Sequence, residues 1–197
     1  MMTHLRPALV MLALMVGLTG LAYPLAMTGL AQAIFPAQAH ASLIERDGRI
    51  VGSALVGQAF TEEHYFHPRP SAVAFDATDS GATNLGPTNA ELIDEVAARA
   101  EAFREAHGVS VVPIDAVTAS ASGLDPHISL QNARLQAGRV AEARGVELRE
   151  VLALVNAAAE GPWLGLFGQS RINVLMLNLS LDDALPLPPS DPQAANG

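Results

Sequence analysis

The sequence predicts an α+β protein, with one N-terminal transmembrane helix followed by a single soluble domain whose helices pack on a small mixed sheet. Three observations predict it. No Asp, Glu, Lys or Arg occurs between Arg6 and Glu45. Asp47-Gly48 separates two short apolar runs. Beyond them, helical periodicity alternates with β-branched runs in the order ββ-α-β-α-α-β. The 197 residues then divide into an N-terminus (1–7), a membrane span (8–28), a link (29–41), the α+β domain (42–182) and a disordered tail (183–197).

The span comes first. A helix rises about 1.5 Å per residue, so about 20 apolar residues cross a hydrocarbon core. Residues 8–28 meet that requirement, with Tyr23 at headgroup level and Pro24 kinking or ending the helix. A cleaved signal peptide is the rival, because Ala37-Gln38-Ala39 and Ala39-His40-Ala41 resemble cleavage sites. The apolar core of a signal peptide is only about 7–15 residues, and this run is longer. Arg6 is the sole cation before the helix, and none follows until Arg46. The positive-inside rule then places the N-terminus in the cytoplasm and the domain outside.

Composition narrows the partners. Net charge is -9, from 20 acids against 11 bases, and every base is arginine. Such a chain lacks the basic patches that nucleic acid or anionic lipid heads require. With no cysteine there is no disulfide and no thiolate metal site.

The domain opens with a hairpin. Residues 43–46 and 49–56 read as strands joined by Asp47-Gly48, because a type I′ turn needs positive φ at both central residues. Pro68 and Pro70 then hold an extended loop that presents Arg69 and Ser71. Residues 76–89 are polar and Gly-rich, and end in a capping box from Thr88 to Glu91. The following helix carries Leu92, Val96, Ala100 and Phe103 on one stripe and closes at Gly108. Residues 109–114 read as a strand. A second polar loop, 115–129, ends at Ser129 as the cap of a helix that runs to Arg144 and closes at Gly145. A third helix spans about residues 147–159, and residues 172–178 read as a buried strand.

The two polar loops carry a resemblance. Residues 80–89, Ser-Gly-Ala-Thr-Asn-Leu-Gly-Pro-Thr-Asn, and residues 118–129, Thr-Ala-Ser-Ala-Ser-Gly-Leu-Asp-Pro-His-Ile-Ser, are similar to two long motifs of the C subunit of the Kdp potassium-transporting ATPase. Tyr65-Phe66, Arg69-Pro70-Ser71, Gln136, Arg139, Ala143-Arg144-Gly145, the Arg171-Ile-Asn-Val-Leu run and Leu177-Asn178 match the same family, and the likeness runs from the N-terminal anchor to about Leu181. Departures are Ala82, Thr83 and Ala121 in the loops, Leu130 after the cap, and Gln169-Ser170 before the last strand. The resemblance implies a non-catalytic subunit of an inner-membrane pump. Its partners would be a channel-like potassium-translocating subunit, a P-type ATPase subunit and a small membrane subunit. The family role is to help assembly and, as a catalytic chaperone, to raise the ATP affinity of the ATPase subunit. Potassium is then the transported ion. No cofactor is held stably, and ATP is met only jointly with the ATPase subunit.

Candidate partner or nucleotide-binding residues are Arg69, Ser71, Ser80, Asn84, Gly86, Thr88, Asn89, Ser120, Ser122, Asp125, His127, Ser129, Gln136 and Arg139. A helix N-terminus attracts phosphate, but residues 80–89 are no Walker loop, and the chain has no lysine to meet one. The alternative is an anchored extracytoplasmic hydrolase or binding domain using Asp125, His127 and a loop serine, since an Asp can orient a His beside a serine nucleophile. No nucleophile elbow accompanies them. His64, His67 and His127 lack the helical spacing of a metal cluster.

Overall fold

The computed structural model describes residues 4–162 and 164–187. The chain divides between Ser53 and Ala54 into two compact units.

The first unit begins with a continuous helix, α1 (Leu5–Ile34), apolar and long enough to cross a membrane. It extends past the expected end at residue 28, and Pro24 does not stop it. The reason is local. Residues Val16–Ala22 form a wider π-helical segment, and the Tyr23 N–H reaches back five residues to the Leu18 carbonyl. Pro24 enters the helix directly after this segment, at the start of its last stretch. A wider turn relieves the clash that a proline ring otherwise makes with the preceding turn. Tyr23 therefore lies within the helix and not at its end. One short turn, α2 (Pro36–Ala39), follows.

The hairpin forms as the Asp-Gly signal requires: β1 (Leu43–Arg46) pairs antiparallel with β2 (Arg49–Ser53). Asp47 at φ 53° and Gly48 at φ 74° supply the two left-handed residues of the turn. A bulge between Ile44 and Glu45 shifts the register. The second strand stops at Ser53, short of residue 56, where the Ser53 hydroxyl donates to the Ala41 carbonyl at 2.6 Å.

The second unit holds the core. Its helices are α3 (Ala90–His107), α4 (Ile114–Val117), α5 (Leu130–Arg144), α6 (Leu148–Ala157) and α7 (Val174–Ala184). Between them β3 (His127–Ser129) pairs antiparallel with β4 (Arg171–Asn173). The α+β class holds, but the strands make two separate antiparallel pairs instead of one mixed sheet. Ala133, Ala137, Val140 and Ala141 of α5 face Val151 and Val155 of α6 and Leu177 and Leu181 of α7 across the core, with Ile128, Ile172 and Phe66 beside them. The alanines on α5 let the helices approach closely.

Four local expectations change. Residues 109–114 are not a strand: the Pro113 backbone precedes α4 in extended conformation and its ring cannot donate to a ladder. Residues 172–178 are strand only to Asn173, whose side chain then accepts from the Met176 N–H and starts α7. That helix runs to Ala184, so residues 183 and 184 leave the expected tail, and residues 188–197 lie outside the described residues. The expected capping box at Thr88 is displaced by one residue. Asn89 is the cap, accepting from the Glu91 N–H at 2.8 Å.

Candidate functional site

The segment after the hairpin has no regular structure through residue 89, so its backbone groups need partners from elsewhere. Side chains of α5 and α7 supply them. Asn178 brackets Phe66, accepting from its N–H at 2.9 Å and donating to its carbonyl at 3.0 Å. Gln136 does the same to His67, at 2.8 and 3.1 Å, and also donates to Asn132 at 2.9 Å. Arg139 donates to the carbonyls of Glu63 and Tyr65. Arg144, whose side chain is wholly buried, donates to the carbonyls of His64 and Leu185 and pairs with Asp182 at 2.8 Å. Its guanidinium lies over the Tyr65 ring, and the Tyr65 hydroxyl donates to the other Asp182 oxygen at 2.9 Å. Burial, and then the nearby charge of Arg139, lower the pKa of His67. The backbone of residues 63–67 is thus hydrogen-bonded by side chains instead of by a sheet.

This extended stretch feeds the first polar loop against the second. The Ser71 hydroxyl donates to the Gly123 carbonyl at 2.6 Å and accepts from the N–H groups of Val73 and Phe75. The Gly81 N–H and the Ser80 hydroxyl both donate to the Ser122 carbonyl, at 3.0 and 3.1 Å. Gly123 sits at φ 68°, and a Cβ there would lie 2.5 Å from Val73 and 2.9 Å from the Gly81 carbonyl. Glycine is needed at this crossing for both its φ and its lack of a side chain. Gly57 closes the other side, with its N–H on the Leu124 carbonyl at 2.7 Å.

Asp125 stands at the centre. One oxygen takes Arg69 at 3.0 Å; the other accepts the His127 N–H at 3.0 Å and faces its ring Nδ1 at 3.4 Å. The His127 side chain, its backbone N–H and the Arg69 charge lower the Asp125 pKa to about 2, against the opposing effect of burial. Arg69 also reaches the Thr118 carbonyl at 3.4 Å. Ser129 caps α5 by accepting from the Asn132 N–H at 3.0 Å, while its own hydroxyl and N–H donate to Asp115 at 2.9 and 2.7 Å. Arg69, Asp115, Asp125, His127 and Ser129 line a cavity of about 750 Å³ together with Arg171, Glu160 and Phe167.

The sequence-derived candidates therefore fall into three places. Arg69, Ser71, Ser80, Ser122, Asp125, His127 and Ser129 meet at the junction of the two loops, where Ser120 is buried and its carbonyl accepts the Gly123 N–H. Gln136 and Arg139 brace the extended segment behind it. Asn84, Gly86, Thr88 and Asn89 lie beyond the junction on an exposed tip, where Asn84 at φ 56° donates to the Ala82 carbonyl and Asn89 caps α3. The hydroxyl proton of Ser129 goes to Asp115, and the Ser122 hydroxyl accepts from the Leu124 N–H. Neither is aimed at His127 by these bonds. Sequence reasoning named neither Asp115 nor Asp182 as a site residue, and met Arg144 and Asn178 only within runs that match the family. Their partners lie up to 117 residues away, and no local spacing announces them. Among the described residues, no group of three or more His, Asp or Glu side chains is arranged to hold a metal ion.

The family model described as KdpC, the c chain of the K+-transporting ATPase, matches residues 5–183. The chain belongs to the KdpC family. A potassium-transporting ATPase KdpC subunit of Rhodospirillum rubrum is 56% identical over 191 residues, covering 95% of this chain and 99% of that one. The corresponding subunits of Sorangium cellulosum and Caulobacter vibrioides are each 53% identical over 189 residues. They cover 93% and 94% of this chain, and 100% and 96% of their own lengths. The likeness runs through both polar loops and the apolar helix, and family membership makes this chain a subunit of a potassium-transporting ATPase.

Proposed function

We propose that this chain is the accessory, non-catalytic subunit of an ATP-driven potassium uptake pump, anchored in the inner membrane by α1 with its second unit on the outer side. There it docks on the channel-like potassium-translocating subunit through the paired polar loops, stabilises assembly with the P-type ATPase subunit and the small membrane subunit, and raises the ATP affinity of the ATPase subunit.

One observation carries the reading. The two loops lock each other through backbone and hydroxyl groups, and leave an exposed tip from residue 82 to 89 that bears no charge. A rigid, uncharged polar surface loses little conformational entropy on binding and carries no charge to desolvate. Arg6 before α1, with no further cation until Arg46, supports the orientation. The tip does not suit a phosphate as it stands. Its helix N-terminus is occupied by the Asn89 side chain, and Glu91 adds an acid to the first turn. Nucleotide is therefore assigned to the ATPase subunit, or to a site shared with it.

The absence of cysteine makes the test clean. Asn84→Cys in intact cells is expected to react with a membrane-impermeant maleimide when this chain is made alone, and to be protected when the other pump subunits are present. Reaction only after permeabilisation would reverse the orientation. Equal reaction with and without the partners would remove the docking.

A further inference from the structure

The C-terminal half of α3 lies over a second cavity, of about 290 Å³, whose walls include His67, Pro68, Arg99, Phe103, His107 and Gln136. Neither Asp nor Glu is among the described residues that line it. His107, in the last turn of α3, holds its ring 4.3 Å from that of Phe103, and its Nδ1 is buried without a hydrogen-bond partner among the described residues. His67 meets the Glu62 carbonyl through Nε2 at 3.1 Å. The acids of the elements packed around the two rings are committed elsewhere. On α3, Glu95 pairs with Arg99 at 2.9 Å and Glu101 with Arg104 at 3.3 Å. Asp115 of α4 takes Ser129 and Asn132, and Arg69 pairs with Asp125. Glu63 reaches Arg139 of α5 at 3.4 Å, but its side chain is 70% exposed. The ring of His64 lies against Tyr65. Burial, and then the Arg139 charge, lower the pKa of both His67 and His107, and each ring lies within range of the same arginine. Glu63 opposes this at both rings, the Glu62 carbonyl at His67, and the carbonyl end of α3 favours charge on His107.

The helix above this cavity is lightly attached. No residue of α3 is fully buried, in contrast to α5 and α6, which carry the core. Its inner stripe, Leu92, Val96, Ala100 and Phe103, is only half-buried, and Arg99 adds one hydrogen bond to the Val117 carbonyl at 3.3 Å. Protonation of the two rings would set their charges beside those of Arg99 and Arg139, around a cavity that no described acid lines. We propose that the His67–His107 cavity is an acid-sensitive latch: with both rings neutral α3 lies closed over residues 67–70 and α5, and with both protonated the C-terminal half of α3 lifts away so that the rings reach water. The sign follows from the environment. The open form binds protons more readily than the closed one, so closure is complete above the ordinary histidine value and is lost as pH falls below it. At its other end α3 is capped by Asn89, the last residue of the exposed tip. Opening therefore disturbs the surface that faces the channel-like subunit, a consequence that rests on the docking reading above, whereas the latch itself does not.

Amide hydrogen exchange of the full chain, alone in mild detergent, tests the latch at about pH 7.5 and about pH 5.5, with rates corrected for the intrinsic effect of pH. An opening that takes up as many as two protons rises at most about a hundredfold per pH unit. Protection of the amides in the second half of α3 is expected to fall about tenfold or more at the lower pH, while those of α6 keep theirs. His67→Gln with His107→Gln should remove this pH dependence; the backbone of His67 stays bonded to Gln136 in that variant. Equal α3 protection at the two pH values in the unsubstituted chain overturns the proposal. So does an undiminished loss in the folded double variant. Should that variant not fold, ring-proton magnetic resonance of the unsubstituted chain decides, with His107 assigned through His107→Gln: titration below the ordinary histidine value supports the latch, and titration at or above it overturns it. No pump subunit is present in these measurements, so they stand apart from docking, which the maleimide experiment reads separately.

Discussion

Replacing Asn178 with leucine tests how the irregular segment before the polar loops is held. Asn178 is 1% exposed and satisfies both backbone groups of Phe66, itself fully buried. Leucine is close in volume, so the packing changes little, but an N–H and a carbonyl are left in the core without partners. Each such group costs about 1–3 kcal/mol, so the sum is about 2–6 kcal/mol. For a urea slope of about 2 kcal/mol/M, this moves the unfolding midpoint down by about 1–3 M. The assay is urea unfolding of the full chain in mild detergent, followed by far-ultraviolet circular dichroism. Ser180→Ala is the control, since its hydroxyl bonds the Met176 carbonyl on an exposed face. It should shift stability by no more than about 0.5 kcal/mol. An Asn178→Leu chain as stable as the control would refute the idea that side chains of α7 replace a sheet here.

Three further outcomes follow from the same geometry. Gly123→Ala should destabilise by more than about 2 kcal/mol, because its φ of 68° is joined by a 2.5 Å approach to Val73; Gly48→Ala, at φ 74° in open space, should cost only about 1 kcal/mol, and urea midpoints compare them. Asn89→Ala should lower stability by about 1 kcal/mol through loss of the α3 cap, while Thr88→Ala, outside the observed cap, should leave the unfolding curve in place. The depressed pKa of Asp125 adds stability that is complete above the ordinary aspartate value and is lost as pH falls towards about 2, so Asp125→Asn should flatten the acid limb of the stability profile between about pH 4 and 2.

Much of the fold was legible because local chemistry decides it. Asp47-Gly48 dictates the hairpin, Ser129 starts α5, and Gly108 and Gly145 end two helices in left-handed conformation. The misreadings came where local signals compete. Ile172 to Asn178 is a continuous apolar and amide run, which fits a buried strand and a buried helix equally. The difference rests on Asn173, which closes the β4 pairing and opens α7 in one residue. Pro24 was read as kinking or ending the helix, and the wider turn at Val16–Ala22 directly before it, invisible to local sequence signals, lets the helix run on to Ile34. At the candidate site, the loops were visible as motifs, and Asp125 with His127 as neighbours. The Arg69–Asp125 pair and the bracing by Arg144, Asn178 and Asp182 were not visible, because they join residues tens of positions apart.

The direct test of the account is what this chain holds when it leaves the membrane. An affinity-tagged full chain, expressed with the other pump subunits and extracted in mild detergent, is predicted to bring the channel-like and P-type ATPase subunits down in equal amounts with potassium-stimulated ATPase activity. Recovery of the chain alone, with the other subunits assembled and active without it, would contradict the account.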